Sequence, residues 1–145
     1  MKRIAIVLLI SSFFVSGCMN QASASVVEDI YRAAQTGDED YIRTVFDENY
    51  ESIDENLEEV MEQLASEVSE MYGATNMSLK ELRQRELQTE VIQTLDKRYE
   101  ENWYLVVGRL DDDHVILWTL QSDGYYFVAD REKLSNDAYH KTVLD

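Results

Sequence analysis

The sequence predicts an α+β fold, with N-terminal helices packed on a C-terminal antiparallel meander sheet. Apolar residues recur at helical spacing between residues 26 and 71. Aromatic and β-branched residues dominate residues 103–129, where turn-forming residues separate short runs. Helical patterns that come before strand patterns are typical of a domain whose helices pack on one face of a sheet.

Three helices are predicted in the first half of the chain. The first begins with a capping box at Ser25 and ends at Gly37, and Asp38 caps a short second helix. A capping box at Ser52 begins the third and longest helix, which ends at Gly73. Its buried face is predicted to hold Leu57, Val60, Met61, Leu64, Val68 and Met71, and its solvent face Glu58, Glu59, Glu62, Glu67 and Glu70.

Strands are predicted at 103–110, 115–121 and 125–129, with turns at 111–113 and at Ser122-Asp123-Gly124. Residues 79–98 fit two interpretations. After a short helical turn capped at Ser78, the alternation from 87 to 95 favours a strand. In the other interpretation the segment is a helix, whose apolar residues are Leu82, Val91, Leu95 and Tyr99.

The first seventeen residues have the pattern of an export signal. Lys2 and Arg3 precede an apolar core from residue 4 to residue 15, which only Ser11 and Ser12 interrupt. This core of about a dozen residues is shorter than the roughly twenty that a membrane-spanning helix needs. A positive start, a short apolar core and small residues after it predict a signal peptide.

The end of this segment, Val15-Ser16-Gly17-Cys18, resembles the lipobox of bacterial lipoproteins. The resemblance implies that a diacylglyceryl group is added to the sulfur of Cys18 and that signal peptidase II cuts between Gly17 and Cys18. The alternative is a secreted protein that is cut within residues 21–24. Because Cys18 is the only cysteine of the chain, neither product forms an internal disulfide.

The predicted organisation is a signal peptide at 1–17, a lipidated tether at 18–25, a single domain at 26–130 and a polar tail at 131–145. The lipid on Cys18 would hold the protein on the extracytoplasmic side of a bacterial membrane. That membrane is the cell membrane, or the outer membrane in a cell that has two.

Charge narrows the range of partners. Residues 18–145 keep 11 of the 13 basic residues and all 29 acidic residues, which gives a formal charge of −18. This charge argues against binding of nucleic acid, or of anionic lipid head groups by the protein surface. The lipid on Cys18 is therefore the predicted source of membrane attachment.

Three short motifs resemble small bacterial lipoproteins with a nuclear-transport-factor-two-like, or cystatin-like, cone fold. They are Ala34-Gln-Thr-Gly37-Asp38, Met71-Tyr72-Gly73 and Ser122-Asp-Gly-Tyr-Tyr-Phe127. The resemblance covers roughly residues 26–129, although Tyr125 stands where such domains often have Trp. It implies a fold and no particular activity.

The sequence gives little indication of a catalytic site or a metal site. Asp111-Asp112-Asp113-His114 lacks the alternating acidic ligands of a calcium loop, and acidic residues are ordinary turn formers. No metal, cofactor or catalytic residue is therefore predicted. A cone-fold enzyme that pairs Asp96 with His114 in a cavity is an alternative, and so is an inhibitor or immunity-type lipoprotein.

The aromatic residues of the predicted sheet have two interpretations. The favoured interpretation is that these side chains pack in the core and form cross-strand pairs. Alternatively, one set covers an open sheet face that binds a protein or a small apolar ligand. The candidates for such a face are Trp103, Tyr104, Trp118 and Tyr126. The sequence thus predicts a lipid-anchored, non-catalytic binding or accessory protein.

Overall fold

The computed structural model describes residues 22–46, 53–71 and 77–145. Gly17 and Cys18 lie outside these residues, as do the predicted cap Ser52 and the predicted helix end Gly73. The elements in chain order are α1 (Ala22–Thr36), α2 (Glu39–Val45), α3 (Ile53–Glu70), β1 (Leu79–Leu82), a 3-10 turn (Gln84–Glu86), α4 (Thr89–Tyr99), β2 (Tyr104–Arg109), β3 (His114–Ser122), β4 (Tyr126–Ser135) and α5 (Asn136–Thr142).

The first two helices form largely as the sequence predicts. Gly37 follows α1 with φ +75°, a left-handed conformation that ends the helix at little cost. The Asp38 carboxylate then accepts a hydrogen bond from the backbone N–H of Tyr41 and caps α2. The predicted start of α1 at Ser25 is wrong, because residues 22–25 are already helical. Ser23 is fully buried in this helix.

This earlier start shortens the predicted tether. Residues 22–25 belong to α1, and the Ser23 hydroxyl donates a hydrogen bond to the Glu81 carboxylate of β1. Ala22, the first described residue, comes four residues after Cys18. At about 3.5 Å per residue, the α-carbons of Cys18 and Ala22 are at most about 14 Å apart.

The third helix confirms the predicted apolar face. The side chains of Leu57, Val60, Leu64 and Val68 are buried at helical spacing. The predicted acidic face is wrong at one position, because Glu67 is only 6% exposed. Its carboxylate faces the sheet, where Arg131 neutralises it.

The sheet is an antiparallel meander in the order β1-β2-β3-β4. Trp118 of β3 pairs with Val106 of β2 and with Arg131 of β4, which sets the register across three strands. The β3–β4 hairpin turns at Gly124, whose φ of +74° suits glycine in a tight turn. The predicted α+β class, with helices before an antiparallel meander, is confirmed.

The predicted strand over residues 87–95 is wrong. Besides the three predicted strands, the sheet contains β1 (Leu79–Leu82), where the sequence predicted a helical turn. The ambiguous segment after it forms α4 (Thr89–Tyr99). Val91, Leu95 and Tyr99 lie four residues apart on the side of α4 that packs against the sheet. Val91 and Leu95 fit an alternating pattern equally well, so the apolar residues alone could not decide between strand and helix.

Residues 131–145, predicted as a polar tail, hold regular structure. β4 continues to Ser135, whose hydroxyl accepts a hydrogen bond from the N–H of Ala138 and caps α5. Tyr139 and Val143 are buried four residues apart against the sheet. Two apolar residues are too few to give a sequence period, and their packing on the sheet decides the structure.

Two hydrophobic cores lie on opposite faces of the sheet. The first face carries Val106, Ile116, Trp118 and Val128 and is covered by α1, α2 and α3. The second face carries Leu105, Val115 and Leu117 and packs against α4, α5 and the segment around Leu87. The sheet is therefore enclosed between two helical layers, whereas the sequence predicted helices on one face.

Candidate functional site

The four aromatic residues proposed as a binding face do not share a surface. Trp118 is fully buried on the first face, whereas Trp103 is buried on the second and donates a hydrogen bond of 2.8 Å to Asp96. Tyr104 and Tyr126 are half-buried beside the first core, with ring centroids 5.2 Å apart. The prediction of an exposed face that contains Trp103 and Trp118 is therefore wrong, because helices pack on both sides of the sheet and bury these two side chains.

A buried polar cluster joins the first helical layer to the sheet. The Arg131 guanidinium pairs with the Glu67 carboxylate, and both side chains are 7% exposed. The same guanidinium lies 4.7 Å from the centroid of the Trp118 ring. The Tyr31 hydroxyl donates to the second carboxylate oxygen of Glu67 at 2.8 Å.

This cluster stabilises the fold and offers no entry to a ligand. Burial, followed by the negative charge of Glu67, raises the pKa of Tyr31 well above its usual 10, so the hydroxyl remains a donor. None of the four side chains lines either of the two cavities described below. The cluster spans α1, α3, β3 and β4 and fixes their mutual positions.

The residues proposed for an alternative enzyme are far apart. Asp96 accepts the indole N–H of Trp103, just before β2. His114 begins β3 at the opposite end of the sheet, where its Nδ1 lies 3.0 Å from Asp111 Oδ1. The structure therefore does not bring Asp96 and His114 into one cavity.

Asp111 forms the turn between β2 and β3. Its Oδ1 accepts hydrogen bonds of 2.8 Å from the backbone N–H groups of Asp113 and His114. The Asp113 N–H, followed by contacts with His114, lowers the pKa of the Asp111 carboxyl. Within the described residues, no group of three His, Cys, Asp or Glu side chains is arranged to hold a metal ion.

A first cavity of about 430 Å³ lies on the second face, beside α5. Its basic side chains are Lys80, Arg109 and His140. Lys80 is paired with Glu86, and Arg109 lies 2.9 Å from Asp112. Glu86 and Asp112 therefore place negative charge beside Lys80 and Arg109 at this cavity.

A second cavity of about 330 Å³ lies between α4 and the second face of the sheet. We call it the α4 groove. It is lined by Glu90, Val91, Thr94, Leu95, Leu105, Leu117, Thr119, Asp130, Glu132, Leu134, Thr142 and Val143. Its volume falls at the lower end of the range for pockets that bind small molecules.

Incomplete coverage by α4 creates this groove. On β3, Ile116 and Trp118 point to the first face and are 2% and 0% exposed. Leu117, between them, points to the second face and remains partly exposed, although it lies on a central strand. No side chain of α4 is fully buried. The helix therefore rests on the sheet without filling the space beneath it.

Cross-strand rows form the floor of the α4 groove. Leu105, Thr119 and Asp130 are paired in one row, and Leu117 pairs with Glu132 in the next. The floor is thus aliphatic toward the centre of the sheet and acidic toward β4. These residues were not among the sites predicted from the sequence, although the alternation of Asp130, Glu132 and Leu134 could have indicated one shared face.

Among the residues that the structure describes, no helix has both the length and the apolar character to span a bilayer. Comparison with known proteins adds no relative from which a function could be carried over. The chain matches no protein-family model, no curated protein and no solved structure.

Proposed function

We propose that this protein is a lipid-anchored, extracytoplasmic binding protein that holds a small ligand with an apolar body in the α4 groove. The observation that carries the binding role is the partial exposure of Leu117 in the floor of the groove. Leu117 stays partly exposed at the middle of a sheet whose other face is closed. Burying such surface against an apolar ligand gains about 25 cal/mol per Å².

The proposed anchor rests on the lipobox-like residues before Cys18. The start of α1 at Ala22 supports a short link, so the domain would sit close to the membrane surface. An anchored binding protein of this kind concentrates its ligand beside the membrane. The separated positions of Asp96 and His114 favour binding over catalysis.

Filling the α4 groove tests the binding role. Thr94 is exposed on α4 and lines the groove, so Thr94→Trp places an indole over the floor without disturbing either core. The probes are 1-octanol and octylammonium, titrated into residues 18–145 carrying Cys18→Ser. We expect Thr94→Trp to weaken binding of the tighter probe by at least about tenfold, which equals 1.4 kcal/mol.

The matched control is Gln93→Trp, since Gln93 is exposed on the same helix but does not line the groove. We expect this variant to bind both probes as the parent does. Thermal unfolding of all three proteins shows whether each retains the fold. Equal binding by Thr94→Trp and the parent would rule out the groove as the site.

A further inference from the structure

We propose that the α4 groove is selective for amphipathic cations, meaning ligands that join an aliphatic chain to an ammonium group. This inference rests on the binding role proposed above and specifies the class of ligand. It follows from the charges that line the groove. Glu90, Asp130 and Glu132 are its charged lining residues, and all three are acidic.

The three carboxylates flank the aliphatic floor on two sides. Glu90 lies on α4, one turn before Thr94, and Asp130 and Glu132 lie on β4. An aliphatic chain that covers Leu117 and Leu134, the partly exposed leucines of the sheet in the groove, would therefore place its head group between acidic residues of α4 and β4. An ammonium group can donate hydrogen bonds to carboxylates there, whereas a carboxylate or sulfate would be repelled.

These carboxylates are available to a ligand. Within the described part of the chain, Glu90 and Glu132 form no ion pair. The Asp130 Oδ1 accepts a hydrogen bond of 2.9 Å from the backbone N–H of Arg131, and its Oδ2 lies 3.9 Å from Arg98, with both side chains about half exposed or more. Such a solvent-exposed pair contributes little and can be replaced by a bound cation.

The first cavity has the opposite charge pattern, because its basic lining residues are Lys80, Arg109 and His140. Lys80 and Arg109 are basic lining residues, and their acidic partners Glu86 and Asp112 lie outside the lining. The charged residues that line the α4 groove are all acidic, with Arg98 outside the lining beside Asp130, in a chain with a formal charge of −16. The surrounding negative field also raises the local concentration of cations.

Three octyl compounds that differ in head group test this selectivity: octylammonium, 1-octanol and octanoate. Each is titrated as a monomer into residues 18–145 with Cys18→Ser, which include every described element. We expect octylammonium to bind about tenfold more tightly than 1-octanol, because three exposed charge contacts together contribute on the order of this factor. Octanoate should bind least. Added salt should reduce the preference for the ammonium group.

Neutralising the groove separates charge from apolar contact. In Glu90→Gln/Asp130→Asn/Glu132→Gln, we expect octylammonium to bind no better than 1-octanol, with the affinity for 1-octanol kept. The control is Glu58→Gln/Glu59→Gln/Glu62→Gln, which changes the net charge equally on the exposed face of α3. This control should keep the preference for octylammonium.

The outcomes distinguish this inference from the proposed function. If 1-octanol or octanoate binds as tightly as octylammonium, and Thr94→Trp still weakens that binding, the cation selectivity is wrong and the groove remains a binding site. If the α3 control loses the preference as the groove variant does, net charge and not the groove selects the cation. If none of the three compounds binds, both proposals are wrong.

Discussion

Arg131→Ala is expected to lower the free energy of unfolding by about 3–5 kcal/mol, because it leaves a buried carboxylate without its cation. Glu67 is 6% exposed, and Tyr31 would remain as its one hydrogen-bond donor among the described contacts. The change also removes the guanidinium from the face of Trp118. Since small domains are stable by about 5–15 kcal/mol, this loss is a large fraction of the total stability.

Urea unfolding of the variant and the parent measures this loss. Lys133→Ala is the matched control, because Lys133 is exposed on the same strand, and its effect should stay within about 0.5 kcal/mol. The double variant Glu67→Gln/Arg131→Met should recover much of the stability, since it leaves no unpaired ion and the amide oxygen at position 67 can still accept the Tyr31 hydroxyl. A loss below about 1 kcal/mol in Arg131→Ala would show that the pair does not hold α3 to the sheet.

Cys18→Ser is expected to abolish incorporation of labelled palmitate and to release the protein from the membrane fraction. Each buried methylene contributes about 0.8 kcal/mol, and two acyl chains hold a protein stably where one holds it marginally. With a formal charge of −18 for residues 18–145, the protein surface offers no electrostatic substitute at an anionic membrane. Loss of the lipid should therefore remove most of the attachment.

The control for this experiment is Ser16→Ala, which keeps a small residue before the cleavage site and should still be labelled. Cell fractionation and palmitate labelling are measured on the same samples. A Cys18→Ser protein that is still labelled, or that fractionates with membranes after its signal peptide has been removed, would contradict the proposed anchor. So would a mature N-terminus within residues 21–24, which is the expectation for the secreted alternative.

Much of the fold follows from local sequence signals. Gly37 and Asp38 act through their own backbone geometry and side-chain caps, so the boundary between α1 and α2 could be predicted. The turn between β3 and β4 could be predicted in the same way, because Gly124 adopts the positive φ that a tight turn needs. Each of these features depends on neighbouring residues and needs no tertiary contact.

The sequence-based predictions that are wrong concern residues whose burial or secondary structure depends on tertiary contacts. Glu67 matches the acidic face of α3 in sequence, and only the position of Arg131 on a distant strand explains its burial. The segment that contains Val91 and Leu95 fits a strand or a helix equally well by itself. Packing against the second face of the sheet selects the helix.

The candidate site could not be predicted because it arises from a packing defect. Leu117 has the sequence character of a core residue, and nothing near it in the chain indicates that α4 leaves it partly exposed. The groove also depends on α5 within the predicted polar tail, since Thr142 and Val143 help to line it. The acidic residues of β4 indicate a function only after the sheet face beside them is known.

Mapping of backbone amide shifts by NMR during an octylammonium titration tests most directly the claim that the α4 groove is a binding site. We expect the largest shift changes at Leu95, Leu117, Thr119 and Glu132, which surround the groove. The turn residue Tyr125, which is 61% exposed, should remain unchanged. Shift changes centred on Lys80, Arg109 and His140, or spread evenly over the surface, would contradict the proposed site.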